Sequence, residues 1–199
     1  VDFDSDLDLL AVNGHIQIEI EQRQDSFQFR QLPHLYLNRG SGTFDLISPS
    51  VSSTLGKPIV GRGAAYADYD QDGDLDVLVT ENAGPAHLWR NELIQPGSTS
   101  SVNYLRFKLI STKGNRDAIG TEVGIKTGGK WHYRRVKAGS SYLSQSEKTI
   151  TFGMSDSSVA DSVIINWSNN EQQILLDLPA NNELLIVQGQ KPISRKNDL

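Results

Sequence analysis

Residues 68–76 read Asp-Tyr-Asp-Gln-Asp-Gly-Asp-Leu-Asp, with five carboxylates on alternate positions. Like charges this close repel, and a fold holds such a run most cheaply around a hard cation. Calcium takes about 6–8 oxygen ligands at roughly 2.3–2.6 Å, which a short loop bent at glycine can supply. With Asp68 as loop position 1, Asp70, Asp72 and Asp76 fall at positions 3, 5 and 9 and offer side-chain oxygens. Asp74 at position 7 offers its backbone carbonyl, and Gly73 makes the bend. The loop is not an EF-hand. Position 12 is Val79 rather than a bidentate Glu, and both flanks have strand composition, Gly63–Ala67 before and Leu75–Thr80 after. A solvated acidic turn needs one or two aspartates, not five. Oxygen-only ligation in a flexible loop favours calcium over magnesium.

The first residues repeat the unit. In Val1-Asp-Phe-Asp-Ser-Asp-Leu-Asp8, Asp2, Asp4, Asp6 and Asp8 align with Asp70, Asp72, Asp74 and Asp76, and Ser5 replaces the central glycine. The counterpart of Asp68 would precede Val1. The alignment therefore predicts a chain that starts inside a loop, with a first site that lacks one ligand and binds weakly or not at all. Similar punctuation follows each loop: Asn13-Gly14, then Leu35–Asn38 and Gly40–Phe44, against Glu81–Gly84 and His87–Asn91. The period of 68 residues, Asp8 to Asp76, includes an insertion between His15 and Pro33. There the alternation of Ile16, Ile18 and Ile20 predicts an extra strand or hairpin. Several short strands per repeat predict propeller blades.

Composition narrows the function classes. The net charge of −5 argues against a nucleic-acid partner. Nine of the 24 acidic residues sit in the two loops, and without them the chain would carry +4, so its acidity is local. The absence of cysteine excludes thiolate metal sites, disulfides and thiol nucleophiles. No apolar run approaches the roughly 18–20 residues of a membrane span. The acidic start resembles no signal peptide, and any such segment would lie upstream.

Residues 1–92 resemble the FG-GAP/VCBS calcium-loop repeats of integrin α-subunits and bacterial surface proteins. The resemblance rests on the two aspartate loops, Asn13-Gly14-His15 and Gly42-Thr43-Phe44. It implies blades of a propeller of about seven, with calcium bracing strand connections. Two blades cannot close such a ring.

Beyond Gln95–Ser101, a linker-like stretch, seven strand-like runs recur. They are Tyr104–Ile110, Val123/Ile125, Trp131–Val136, Thr149–Phe152, Val163–Trp167, Ile174–Leu178 and Leu184–Val187. With Gly, Asn and Asp turns between them, they predict a β-sandwich. Asn115–Gly120, Gly139–Gln145, Phe152-Gly153 and Trp167, in that order, resemble the ASPIC/UnbV domain. That domain follows VCBS repeats in cartilage-acidic-protein-like proteins. The expected organisation is all-β: two blades of a partial β-propeller (1–94), a linker (95–102), a β-sandwich (103–188) and a mobile tail (189–199). Arg116 and Asp117 are expected to pair and pin a loop. Ser140, Ser141 and Tyr142 are expected to cap a turn or line a groove. The basic run Lys130, His132, Arg134, Arg135, Lys137 reads as a solvated strand.

No zinc-protease, nucleophile-elbow or phosphate-loop motif occurs, and His15, His34, His87 and His132 are scattered. The expected function is a non-catalytic, calcium-binding interaction or adhesion module, extracellular, at the cell surface or periplasmic. Its partner would be a protein or glycan. The alternative is a glycan-binding accessory module of a secreted enzyme or surface system, with Trp131, Tyr133 and Tyr142 as candidate ligand-binding residues.

Overall fold

The computed structural model describes residues 1–23, 26–47, 50, 54–94 and 102–195. The fold is all-β, four antiparallel or mixed sheets with one helical turn among the described residues. Most of the expected linker, 95–101, lies outside the described residues. No described helix is long and apolar enough to cross a membrane.

Each aspartate loop feeds a three-stranded sheet. The first sheet holds β1 (Leu9–Ala11), β2 (His34–Asn38) and β3 (Phe44–Leu46), with Leu9 opposite Tyr36 and Tyr36 opposite Leu46. The second holds β4 (Gly61–Ala67), β5 (Asp76–Glu81) and β6 (His87–Trp89), with Ala64 opposite Val79 and Val79 opposite His87. Arg30, at the base of the insertion, and Glu81 of β5 form a 2.5 Å ion pair, and Glu81 also shares a 2.9 Å hydrogen bond with His87. The insertion differs from expectation. Ile20 opens one helical turn, α1 (Ile20–Arg23), while Ile16 and Ile18 stand in solvent. A lone bridge from Gly14 to Arg30 closes its base, so Ile16 and Ile18 have no sheet to join.

The sandwich holds all seven expected strands: β7 (Asn103–Ile110), β8 (Glu122–Thr127), β9 (Lys130–Arg135), β10 (Ile150–Ser155), β11 (Val159–Asn166), β12 (Gln172–Pro179) and β13 (Asn182–Val187). An eighth, β14 (Ile193–Arg195), pairs with β13 where a mobile tail was expected. Its register sets Ile193 opposite Leu185. One sheet runs β10-β7-β13-β14, with β7 and β13 parallel, and the other β12-β11-β8-β9. Alternation builds the core, since neighbouring strand residues face opposite sides. Leu105, Phe107 and Leu109 from β7 meet Ile150, Phe152 and Met154 from β10. Val123, Ile125, Val163 and Ile165 close it from the other sheet. Phe107 and Phe152 meet edge to face at 5.9 Å.

The same alternation turns Tyr104, Arg106, Thr151 and Gly153 away from this core. They are buried or half-buried there, because the aspartate loops pack on that face. A Cβ on Gly153 would fall 2.5 Å from Phe3 Cα, and Ser5 Oγ donates to Gly153 O at 2.7 Å. Phe3 O accepts from Ser155 N at 2.9 Å. Arg134, expected in solvent, lies on the core side of β9 opposite Val123. Its guanidinium sits over the Phe152 ring and donates to Ser5 O at 3.0 Å. The 139–147 segment runs along β4: Ser141 Oγ accepts from Ala64 N and Ser146 Oγ from Tyr66 N, and Glu147 N donates to Tyr66 O. Asp117 pairs with Lys148 rather than with Arg116, because the turn at 115–120 lies beside the start of β10.

Gly153→Ala must push the Phe3 backbone aside. We expect a loss of about 1–3 kcal/mol, typical of overpacking, measured by urea unfolding. Gly129→Ala tests the approach specifically. A Cβ there meets nothing within 4 Å, so only the cost of its positive φ is expected, on the order of 1 kcal/mol.

Candidate metal site

The two loops share one backbone. Gln71 and Phe3, at equivalent positions, take φ of 62° and 63°, and Gly73 and Ser5 take 103° and 80°. The hydrogen bonds repeat as well. Asp76 Oδ1 accepts from Asn91 N and Asp8 Oδ1 from Asn38 N, both at 2.9 Å. Asp76 Oδ2 accepts from Tyr69 N at 2.9 Å, and Asp8 Oδ2 from the Val1 nitrogen at 2.6 Å. Asp72 Oδ1 accepts from Asp74 N, as Asp4 Oδ1 does from Asp6 N. These bonds fix the carboxylates of each loop on its own amides and on that of a following asparagine.

In the second loop, oxygens of Asp68, Asp70 and Asp76 lie within 4.8 Å of one another. Asp72 and Asp74 are not part of that triad. Asp74 is fully buried, and its Oδ2 accepts from Ile94 N at 2.9 Å. One of its oxygens is therefore engaged away from the triad. Among the described residues, Asp2, Asp4, Asp6 and Asp8 form no comparable cluster.

Several oxygens of the second loop are buried without a hydrogen-bond partner: Asp68 Oδ1, Asp70 Oδ1, Asp72 Oδ2 and Asp74 Oδ1. A buried, unpaired carboxylate oxygen is costly. Burial pushes the Asp68, Asp72 and Asp74 carboxyls up, Asp74 to about 6, and neighbouring aspartates add to the rise. Such a loop fits a hard, oxygen-seeking cation held by Asp68, Asp70 and Asp76.

Two arginines that the sequence did not point to also reach the loop. Arg90 Nε lies 2.6 Å from Asp70 Oδ2, an ion pair without hydrogen-bond alignment. Arg106, on β7, is 4% exposed and places Nη1 3.1 Å from Asp68 Oδ2. The same guanidinium reaches Glu147 Oε2 at 3.0 Å and Glu183 Oε2 at 3.3 Å. The Tyr104 ring lies against Gly73, where a Cβ would fall 2.3 Å from it, and meets Phe3 at 6.4 Å. Gly73 is thus required twice, for its φ and for this approach.

Of the candidate aromatics, Trp131 and Tyr133 stack at 5.9 Å with 21° between planes. The Tyr133 ring lies over Gly124 on the neighbouring strand. Tyr142 is not part of this pair. It stands in the segment along β4, where its carbonyl approaches Gly63.

Protein-family models match the chain at two places, an FG-GAP-like repeat over residues 1–79 and ASPIC and UnbV over residues 111–193. The chain joins an FG-GAP-like repeat to an ASPIC/UnbV domain. No curated protein matches it. The FG-GAP-like match spans the first aspartate loop and extends to Val79, three residues past the second. The ASPIC/UnbV match holds Glu147 and Glu183, and Arg106 precedes it on the domain's first strand.

The Asp74 shift sets a pH test in chelator. Its folded carboxyl titrates at about 6 against 3.8 ordinarily, so the folded form holds the proton more tightly. Stability is then highest below pH 4 on this account and is lost as pH rises to about 6. Asp74→Asn removes the charge and keeps an acceptor for Ile94 N. At pH 7 in chelator it should stabilise the protein by on the order of 2 kcal/mol, with no gain at pH 4, read by thermal melts.

Proposed function

We propose that this chain is a calcium-stabilised interaction module, extracellular or at the cell surface, that works by binding rather than by catalysis. The observation that carries this reading is the set of buried, unpartnered carboxylate oxygens around Asp68, Asp70 and Asp76. Oxygen ligands in a glycine-bent loop suit calcium. Side chains of Asp68, Asp70 and Asp76 would hold the ion, with Asp74 contributing its carbonyl and Asp72 reaching in through Oδ2. The FG-GAP-like repeat supports the assignment, since such repeats often bind calcium and are typical of surface proteins. Calcium loops that bind in the micromolar to millimolar range fill outside the cytosol. Support for a non-catalytic role comes from the histidine with a buried acidic partner. His87 and Arg30 take up both oxygens of Glu81, so the trio braces the blades.

A second reading rests on the ring pair. Trp131 and Tyr133 are both exposed on the outer face of β9. Opposite Gly124 on β11 stands Ile164, and opposite Ile164 on β12 the exposed Ile174, so an apolar row crosses the open sheet face. Such a surface suits stacking of a sugar ring. The partner in this reading is a glycan.

Calcium at 100 times its Kd should stabilise the fold by about 2.7 kcal/mol, seen as a higher melting temperature that chelator reverses. Asp68→Asn or Asp70→Asn should abolish most of that gain, while Asp6→Asn leaves it unchanged. Indifference of the wild-type melt to both calcium and chelator would sink the metal reading. For the second reading, Trp131→Ala should erase glycan-array signal without changing the calcium response.

A further inference from the structure

The seam between the two matched domains gathers acidic groups from both around one buried cation. From the FG-GAP-like side comes Asp68, whose side chain is 3% exposed. From the sandwich come Arg106, Glu147 and Glu183. Three carboxylates thus surround one buried guanidinium. It donates to Glu147, Glu183 and Thr151 and pairs with Asp68. Two buried oxygens, one from each side, still lack a hydrogen-bond partner: Asp68 Oδ1 and Glu147 Oε1. Arg106 bridges Asp68 Oδ2 and Glu147 Oε2, so the two acids are held close together. Arg195 reaches Glu183 at 3.5 Å but is half exposed, where screening makes it a weak counter-charge.

Docking the sandwich therefore brings one cation and two anions against a loop that already carries five aspartates. Without an ion this approach is a net cost, because buried unpaired charge is destabilising. A divalent cation reverses the sign. Arg106 also fixes geometry. It and the Gly73 amide both hold Asp68 Oδ2, at 3.1 Å each, which leaves Oδ1 as the free oxygen. The rigid fork of arginine can bridge several carboxylates at once, which a lysine ammonium cannot do in the same geometry.

We propose that cation binding in the 68–76 loop and docking of the ASPIC/UnbV domain are one linked equilibrium, with Arg106 as the positioning residue that presents Asp68 Oδ1 to the ion. The proposal rests on the calcium reading above. Each event favours the other by the same factor, as linkage demands. The ion thus does more than brace its own loop, because it sets how firmly the second domain is held.

The test uses the whole 199-residue chain and calcium itself, with two readouts, calcium affinity and amide exchange at Ala64 and Tyr66. Those two amides are covered by Ser141 and Ser146 of the sandwich, so their exchange reports docking. In the wild type, saturating calcium should slow both. Arg106→Lys keeps the charge and loses the fork, and should weaken calcium binding about tenfold, within the usual range of coupling between sites. The Ser141→Ala/Ser146→Ala double variant touches the seam but not the loop, and should weaken calcium binding severalfold. If the serine variant binds calcium as tightly as wild type, and exchange at Ala64 and Tyr66 ignores calcium, the linkage is overturned while calcium binding stands. If Arg106→Lys does not fold, the serine variant decides alone. A wild-type chain that binds no calcium at millimolar concentration overturns both readings, and is the one result that reaches the first.

Discussion

The guanidinium of Arg106 is the contact on which the arrangement turns. It leaves the sandwich from the back of β7, enters the aspartate loop, and holds Asp68, Glu147 and Glu183 at once. A buried arginine is tolerable only when several acceptors replace its lost water. Here those acceptors come from both halves of the chain. The fold therefore meets part of its electrostatic cost at the seam, where Asp68 joins the sandwich's own acceptors on Arg106.

Around that point the contacts are mostly backbone and small side chains. Phe3 against Gly153, Tyr104 against Gly73 and the Tyr142 carbonyl against Gly63 all need a glycine, because a Cβ would collide. The motifs that resemble the ASPIC/UnbV domain thus gain a physical role in this chain. Gly139–Gln145 runs beside β4 and Phe152-Gly153 receives the first loop, while Trp167 belongs to the core. The two aspartate loops, which are 68 residues apart, rest on one face of one sheet with Tyr104 between them.

Much of this could be read from the residues. Alternating aspartates around Gly73 marked the loop, and period-two alternation marked all seven expected strands of the sandwich. The internal repeat was visible as spacing and returns as matched φ angles and matched Asp–Asn bonds. What failed was pattern without context. Ile16, Ile18 and Ile20 alternate like a strand, but no neighbouring strand accepts them. Ile193 looked like part of a polar tail, yet the free edge of β13 recruits it. Arg106 was overlooked, and Arg134, read as part of a solvated strand, was misplaced. By alternation both stand among ordinary strand residues, and only the tertiary arrangement brings Asp68 or Ser5 to them. A basic residue facing away from a predicted core, in a chain with an unbalanced acidic loop, is the signal that points to Arg106.

The edge of β4 is closed by serine hydroxyls and one backbone contact from Glu147, not by a full neighbouring strand. Such a closure denies the outward N–H groups to any foreign chain while leaving no long ladder to break. If the sandwich swings away, β4 offers its Ala64–Tyr66 edge as bare template for strand addition. The molecule then has a built-in route to self-association, and its colloidal behaviour would depend on how tightly one domain shields the other.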